Sequence, residues 1–293
     1  AWVTMHAGAM HVLAIIVVLL KTIHSEVTVA NKPYLHVATM WSQHQRPLFD
    51  MWSSYLANAV EVTAFSSSNK TTYRIATHAH YLQHDPGIPG RGICCDAQWV
   101  RALGRKVELV EQLSHRCDPG SILIFSDVDV LFFNSSLTDL LQRHEDSGNG
   151  ITFMARKSKT HGVNTGLYVL TVSESTQHFM SEWALRVDTN DQDTINSWFG
   201  HWGTFGVPSV TSLSCVGKNT SCPELSGMPR VGVFPEWLAV TRFDKLSSAA
   251  AVYHVNGRVN SAPEPTGTSG KLIRLKQALD NQPAWQARPL RFG

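Results

Sequence analysis

The sequence predicts an α/β fold, a sheet flanked by helices within a single domain, on three observations. Strand-like and helix-like segments alternate through the first half of the chain, with a less regular second half packed on them. The run Ile122–Phe125 is continuously apolar, which suits a strand buried on both faces of a covered parallel sheet. No Gly/Pro/Ser-rich linker and no internal repeat divides the 293 residues, so one core is expected.

Taken in order, Lys32–Trp41 reads as the first strand, with Pro33 at its edge. Arg46–Val60 carries Leu48, Met51, Trp52, Tyr55, Leu56 and Val60 near helical spacing. Glu61–Phe65 alternates as a short strand, Ser66–Thr72 is a polar loop and Tyr73–Thr77 a further strand. Asp85–Gly92 is a loop by its Pro and Gly content. Asp96–His115 is a long helix with Trp99, Val100, Leu103, Val107, Val110 and Leu113 on one side. Asp118-Pro119-Gly120 turns the chain into the apolar strand, and Ser136–His144 forms a short helix before a loop at His144–Gly150. Strands follow at Ile151–Ala155 and Gly166–Val172, joined by Arg156–Thr165, then helices at Glu174–Val187 and Asp193–Trp198. Strand-like pieces occur within Val231–Val240 and Ala249–Val255, and Lys271–Asp280 closes the domain as a helix.

Composition narrows the function classes. Hydrophobic content of 43% and charged content of 16% describe a folded globular chain. A net charge of +2, with no Lys/Arg run, gives no footprint for nucleic acid. The fourteen His are scattered, as expected of surface or hydrogen-bonded core residues. Ala9–Leu20 is an uncharged apolar run followed by Lys21, short for a membrane span and suited to a secretory signal or a short signal anchor over residues 1–25. The acceptor triplets at Asn69, Asn134 and Asn219 agree with passage through the secretory pathway. Cys215 and Cys222 are spaced for a local disulfide; Cys94, Cys95 and Cys117 leave one thiol over if two of them pair. No zinc spacing, G-x-S-x-G or H-E-x-x-H occurs.

Chemistry concentrates where the apolar strand should end, in Ser126-Asp127-Val128-Asp129. On an extended backbone Asp127 and Asp129 share a face while Val128 turns to the core. Two ionised carboxylates in a greasy segment are costly unless a positive charge lies between them, and a hard divalent cation with oxygen ligands satisfies that need. Three later segments have the composition to complete a site. His161-Gly162-Val163-Asn164-Thr165-Gly166 is a polar approach to a strand, with glycines that permit close backbone contact. Asn190-Asp191-Gln192-Asp193-Thr194-Ile195-Asn196 holds more acids and amides than helix capping requires. Tyr253-His254-Val255-Asn256-Gly257 offers an imidazole at a strand end, a good third ligand beside two carboxylates.

The succession SDVDVLFF, VNTGLYVL, NDQDTIN and YHVNG, with Lys271 after it, resembles the nucleotide-diphospho-sugar transferases of the GT-A fold, from about Lys32 to Leu279. The likeness is greatest to the family of plant cell-wall xylosyl- and arabinosyltransferases and related galactosyltransferases. It implies a Rossmann-like mixed sheet over residues 32–280 with a tail at 281–293. It also implies a luminal, Golgi-type glycosyltransferase that moves a sugar, with retention, from a nucleotide-diphosphate sugar to a glycan or glycoprotein hydroxyl. By that resemblance Asp127, Asp129 and His254 hold manganese or another divalent cation, and Lys271 stands near the diphosphate. Asn164 and Gly166 line the donor sugar, Lys106 reaches the donor, and Asp191 and Gln192 lie near the anomeric carbon. The family often places an aromatic and a Pro-containing turn after D-x-D, where this chain has Phe132-Phe133-Asn134-Ser135. Two rival readings are a haloacid-dehalogenase-like phosphatase, with Asp127 as nucleophile, and a non-catalytic secreted carbohydrate-binding protein.

Overall fold

A computed structural model of the chain describes residues 33–57, 61–65, 70–82, 97–133, 136–155, 162–187, 190–199, 211–213, 227–241, 246–247, 249–255 and 267–281. The apolar run at 9–20, residues 85–92, the three acceptor asparagines, Cys94, Cys95, Cys215, Cys222, Asn256, Gly257 and the tail from residue 282 lie outside them. Among the described residues no helix is long and apolar enough to cross a membrane.

The strand β4 (Ile122–Ser126) explains the sheet around it. Every residue in it is buried, because Ile122 and Ile124 face one helical layer while Leu123 and Phe125 face the other. Its neighbours are β1 (Tyr34–Trp41), parallel, and β7 (Val163–Thr171), antiparallel. The sheet is therefore mixed, where the apolar run alone led to an expectation of parallel pairing. A strand covered on both faces needs apolar residues on both, whichever way its neighbours run. The other strands are β2 (Glu61–Phe65), β3 (Lys70–Tyr81), β6 (Ile151–Ala155), β8 (Thr211–Leu213) and β9 (Val231–Val233), giving the order β2-β3-β1-β4-β7-β6-β9-β8. A three-stranded sheet adds β10 (Ala239–Val240), β11 (Val252–His254) and β5 (Val130–Phe132).

Helices α1 (Arg46–Ala57) and α3 (Ser136–Ser147) cover one face, with Trp52, Leu56, Leu140 and Leu141 buried against Val37, Ile124 and Val169. Helices α2 (Ala97–Arg116), α4 (Glu174–Arg186) and α5 (Asp191–Phe199) cover the other, with Val107, Val110, Trp183 and Trp198 against Phe125, Phe153 and Tyr168. Each such side chain taken fully from water stabilises by about 1.5–3 kcal/mol. Helix α6 (Gly267–Asp280) sets Leu275 and Ala278 on the small sheet, beside Leu131 and Tyr253.

Several boundaries differ from expectation, each for a local reason. Strand β3 runs from Lys70 to Tyr81 rather than Tyr73–Thr77, because β2 pairs with its first residues, Lys70–Arg74, and β1 with the rest, Arg74–Tyr81. Helix α3 continues to Ser147 through the residues read as a loop, since His144 is buried and anchored by Thr152 and Thr171. Helix α6 starts at Gly267, ahead of Lys271. Strand β8 was not anticipated; three polar-to-apolar residues carry no periodic signal.

Candidate functional site

The Asp127–Asp129 stretch is a tight turn, not extended strand. Val130 N–H donates to the Asp127 carbonyl at 3.1 Å, closing the turn between β4 and β5. The expected shared face of the two acids thus comes from turn geometry, while Val128 is buried as anticipated. The turn is held from three sides. Asp127 N–H donates to the Gly166 carbonyl at 2.7 Å, and Val255 N–H donates to the Asp129 carbonyl at 3.1 Å. Behind it, Trp52 Nε1 donates to Ser126 Oγ at 2.7 Å, and that hydroxyl donates to the Asp127 carbonyl at 3.2 Å.

Pairing of β11 with β5 places His254 opposite Val130 and so beside the turn. His254 Nε2 lies 3.3 Å from Asp129 Oδ1 and 3.9 Å from Asp127 Oδ2. Ligand atoms of Asp127, Asp129 and His254 all fall within 4.8 Å of one another. Among the described residues, no hydrogen bond of good geometry reaches the buried Asp129 Oδ1. A donor set of two carboxylates and an imidazole, with one buried oxygen unsatisfied, fits a divalent cation.

Two lysines accompany the acids in different ways. Lys271 Nζ, on α6, donates to Asp129 Oδ2, and its side chain is 31% exposed. Lys106, on α2, is buried beneath the turn with its side chain only 4% exposed, 3.3 Å from Asp127 Oδ1 and 2.7 Å from Asp191 Oδ2. Burial works against charge on both lysines, but the facing carboxylates outweigh it and raise both ammonium pKa values. Burial acts on Asp129 in the opposite sense, yet Lys271 and His254 hold its carboxyl below the usual carboxylate range. Asp127 goes the other way: burial lifts it, Lys106 only partly opposes that, and Asp129 adds to the rise.

The expected donor-sugar segment is part of β7, not an approach to it. Asn164 is buried and its Oδ1 accepts from Gly166 N–H at 2.7 Å, in a region where the β6–β7 register shifts. Gly166 lies against His254: a Cβ there would sit 2.8 Å from the imidazole Nδ1 and 2.9 Å from Asn164 Oδ1. Close contact at this glycine is therefore made with the imidazole. Helix α5 begins at Asp191 rather than Asp193 because Asn190 caps it, its Oδ1 accepting from Gln192 N–H at 2.8 Å and Asp193 N–H at 3.4 Å. That cap turns Asp191 inward, while Gln192 is half-buried beside it and Asp193 is exposed.

Residues given no role of their own in the sequence-based site support it. Asn196 pairs its amide with the backbone of Val163, accepting from N–H at 2.6 Å and donating to the carbonyl at 3.0 Å, which ties α5 to β7. Gly162 makes room for it, since a Cβ there would lie 2.6 Å from Asn196 Oδ1. The only signal for Asn196 was its place in the polar run Asn190–Asn196. Tyr168, fully buried on β7, has no hydrogen-bond partner for its hydroxyl among the described residues, and burial with the nearby charges of Asp191 and Asp127 keeps the phenol protonated.

Residues 95–264 match the family described as nucleotide-diphospho-sugar transferase, more than half of the chain and all of the turn, Asp191 and His254. The chain belongs to this family. It is a glycosyltransferase that uses a nucleotide sugar, and its mixed sheet flanked by helices is the architecture expected. A glycosyltransferase involved in glycosylation of the major capsid of PBCV-1 is similar at 10% identity and a TM-score of 0.48, covering 84% of this chain and 100% of that one. GlyE of Streptococcus pneumoniae TIGR4 is similar at 8% identity and a TM-score of 0.43, covering 86% of this chain and 64% of its own. The galactosyltransferase LgtC, solved with donor and acceptor sugar analogs, is similar at 10% identity and a TM-score of 0.38, covering 87% of this chain and 97% of its own. No curated protein matches the chain. The phosphatase reading also fails on its own requirement for a later apolar strand ending in paired acids. Among the described residues β6, β7, β9, β10 and β11 end at Ala155, Thr171, Val233, Val240 and His254.

Proposed function

We propose that this transferase is metal-dependent and moves its sugar to a hydroxyl of a glycan or glycoprotein with retention at the anomeric carbon. The observation that carries the metal dependence is the convergence of Asp127, Asp129 and His254 on one point, with Asp129 Oδ1 buried and unsatisfied. These three residues would hold the cation, manganese by the family resemblance. Bound there, the cation supplies positive charge to the departing diphosphate.

The chain's own residues supply the rest. The Lys271 ammonium, the more exposed of the two, adds a second positive charge on the diphosphate side. Asn164 and Gly166 bound the donor-sugar side, with Gly166 against the imidazole. Asp191, with Gln192 beside it, presents oxygen to a sugar ring that becomes electron-poor as its bond to the diphosphate breaks. The bonding pair leaves with the diphosphate, the acceptor oxygen forms the new bond to the anomeric carbon, and the acceptor hydroxyl gives up its proton. The apolar run at 9–20 and the acceptor triplets support a secretory-pathway lumen as the place of action, the run serving as a cleaved signal or as a short signal anchor.

Calorimetric screening of nucleotide sugars with and without manganese tests this reading. Binding that requires manganese and is lost in Asp129→Asn is expected, with anomer-resolved NMR of the product showing retention. Transfer that proceeds equally in excess chelator would sink the metal dependence.

A further inference from the structure

Lys106 joins two parts of the site that lie on different elements. Its ammonium is buried under the D-x-D turn, 5.2 Å from the centre of the Phe125 ring, and forms ion pairs with Asp127 at β4's end and Asp191 at α5's start. The Asp191 side chain is 3% exposed and that of Lys106 4%, whereas Asp127 remains 34% exposed. A ligand entering from the open side therefore meets Asp127 first, with Lys106 behind it. Without this ammonium, two carboxylates would face each other across a low-dielectric gap, free to repel, rotate or trap a cation between them.

We infer that Lys106 is a positioning residue: it acts on the donor only through Asp127 and Asp191, fixing the cation-side and sugar-side carboxylates relative to each other before substrate arrives. This rests on the proposed reading in which Asp127 serves the cation and Asp191 the sugar. Lys271 differs in kind, being partly exposed and bound to a single carboxylate.

The test is a double-mutant cycle on the full chain, using Lys106→Met, Asp191→Asn and the pair, with manganese and whichever nucleotide sugar the wild-type protein binds. Donor Kd is read by calorimetry, turnover by product formation, and folding by thermal melting. Misplacing a reacting group by about 1 Å costs on the order of 100-fold in rate, so Lys106→Met is expected to lower kcat about 100-fold while donor Kd moves less than about threefold. The pair is expected to be no slower than the worse single variant, because both remove the same arrangement. If Lys106→Met does not fold, the cycle is run with Lys106→Arg, which keeps the charge but displaces it, and the same non-additivity is expected on smaller losses. Donor Kd weakened about tenfold or more with kcat retained would make Lys106 a direct donor ligand and overturn the inference. Fully multiplicative losses, or a lowered melting temperature with full turnover, would overturn it as well. A wild-type protein that binds no nucleotide sugar with manganese overturns the parent reading and this one together; wild-type binding with multiplicative losses overturns this one alone.

Discussion

Gly166 shows how one residue's absent side chain sets the geometry of a neighbour. A methyl group there would press on the His254 ring and Asn164 Oδ1, both of which are buried and cannot simply swing away. Gly166→Ala is expected to cost about 1–3 kcal/mol of stability, as overpacking does in a well-filled site. It should also weaken manganese binding by displacing the imidazole; melting curves and manganese titration followed by electron paramagnetic resonance read the two effects separately. His144 supports a pH prediction. Its ring lies between Thr152 Oγ1 at 2.8 Å and Thr171 Oγ1 at 2.9 Å, and burial pushes its pKa down from 6.5 to about 4. Between those values the unfolded chain binds a proton that the folded chain does not, so stability falls as pH drops from 6.5 and the loss levels off below about 4. The full loss is about 3 kcal/mol, read as the difference in pH slope between wild type and His144→Asn in urea melts; equal slopes would contradict it. Asp127, Asp129 and His254 were legible in the sequence as types that hold a cation. The glycine's actual neighbour was not, because contact between β7 and the end of β11 depends on the pairing of two sheets.

At the scale of elements, α5 is the piece whose start matters most. Asp191 faces inward because Asn190 caps the helix two residues earlier than the apolar periodicity of Ile195 and Trp198 indicates. Asn190→Ala is expected to cost about 1 kcal/mol through the lost cap. Asn196→Ala leaves the Val163 N–H and carbonyl without their partner and is expected to cost about 1–3 kcal/mol. Hydrogen exchange should show faster exchange at Val163 in Asn196→Ala, with β4 unchanged; uniform loss of protection would mean that Asn196 supports the whole fold rather than this junction. Strand β2 and helix α2 were readable because their apolar residues follow the period of the element, and β4 because its apolar run is continuous. The D-x-D turn was misread as extended because an Asp-Val-Asp triplet gives the same one-sided acidic pattern on a strand or in a turn. Strand β7 was begun too late for a related reason: polar Asn164 and Thr165 are buried, with Asn164 Oδ1 bonded to Gly166 N–H, so they interrupt the apolar signal without ending the strand.

Across the whole molecule, a mixed sheet with helices on both faces carries the turn on one strand end, while the small sheet and α6 bring His254 and Lys271 to it. Residues separated by more than a hundred positions thus meet at Asp129, as the Lys271–Asp129 separation of 142 illustrates. Such long-range closure is beyond local pattern, and the sequence pointed to it only through the ordered succession of polar segments and their resemblance to a transferase family. The central claim is that this closure builds a cation-dependent donor site. Calorimetry of a nucleotide sugar in the presence of manganese, on wild type and Asp129→Asn, tests it most directly. The account predicts manganese-dependent binding to the wild-type protein and at least a tenfold loss, about 1.4 kcal/mol, in the variant; equal donor affinity in both proteins, or binding indifferent to manganese, would contradict it.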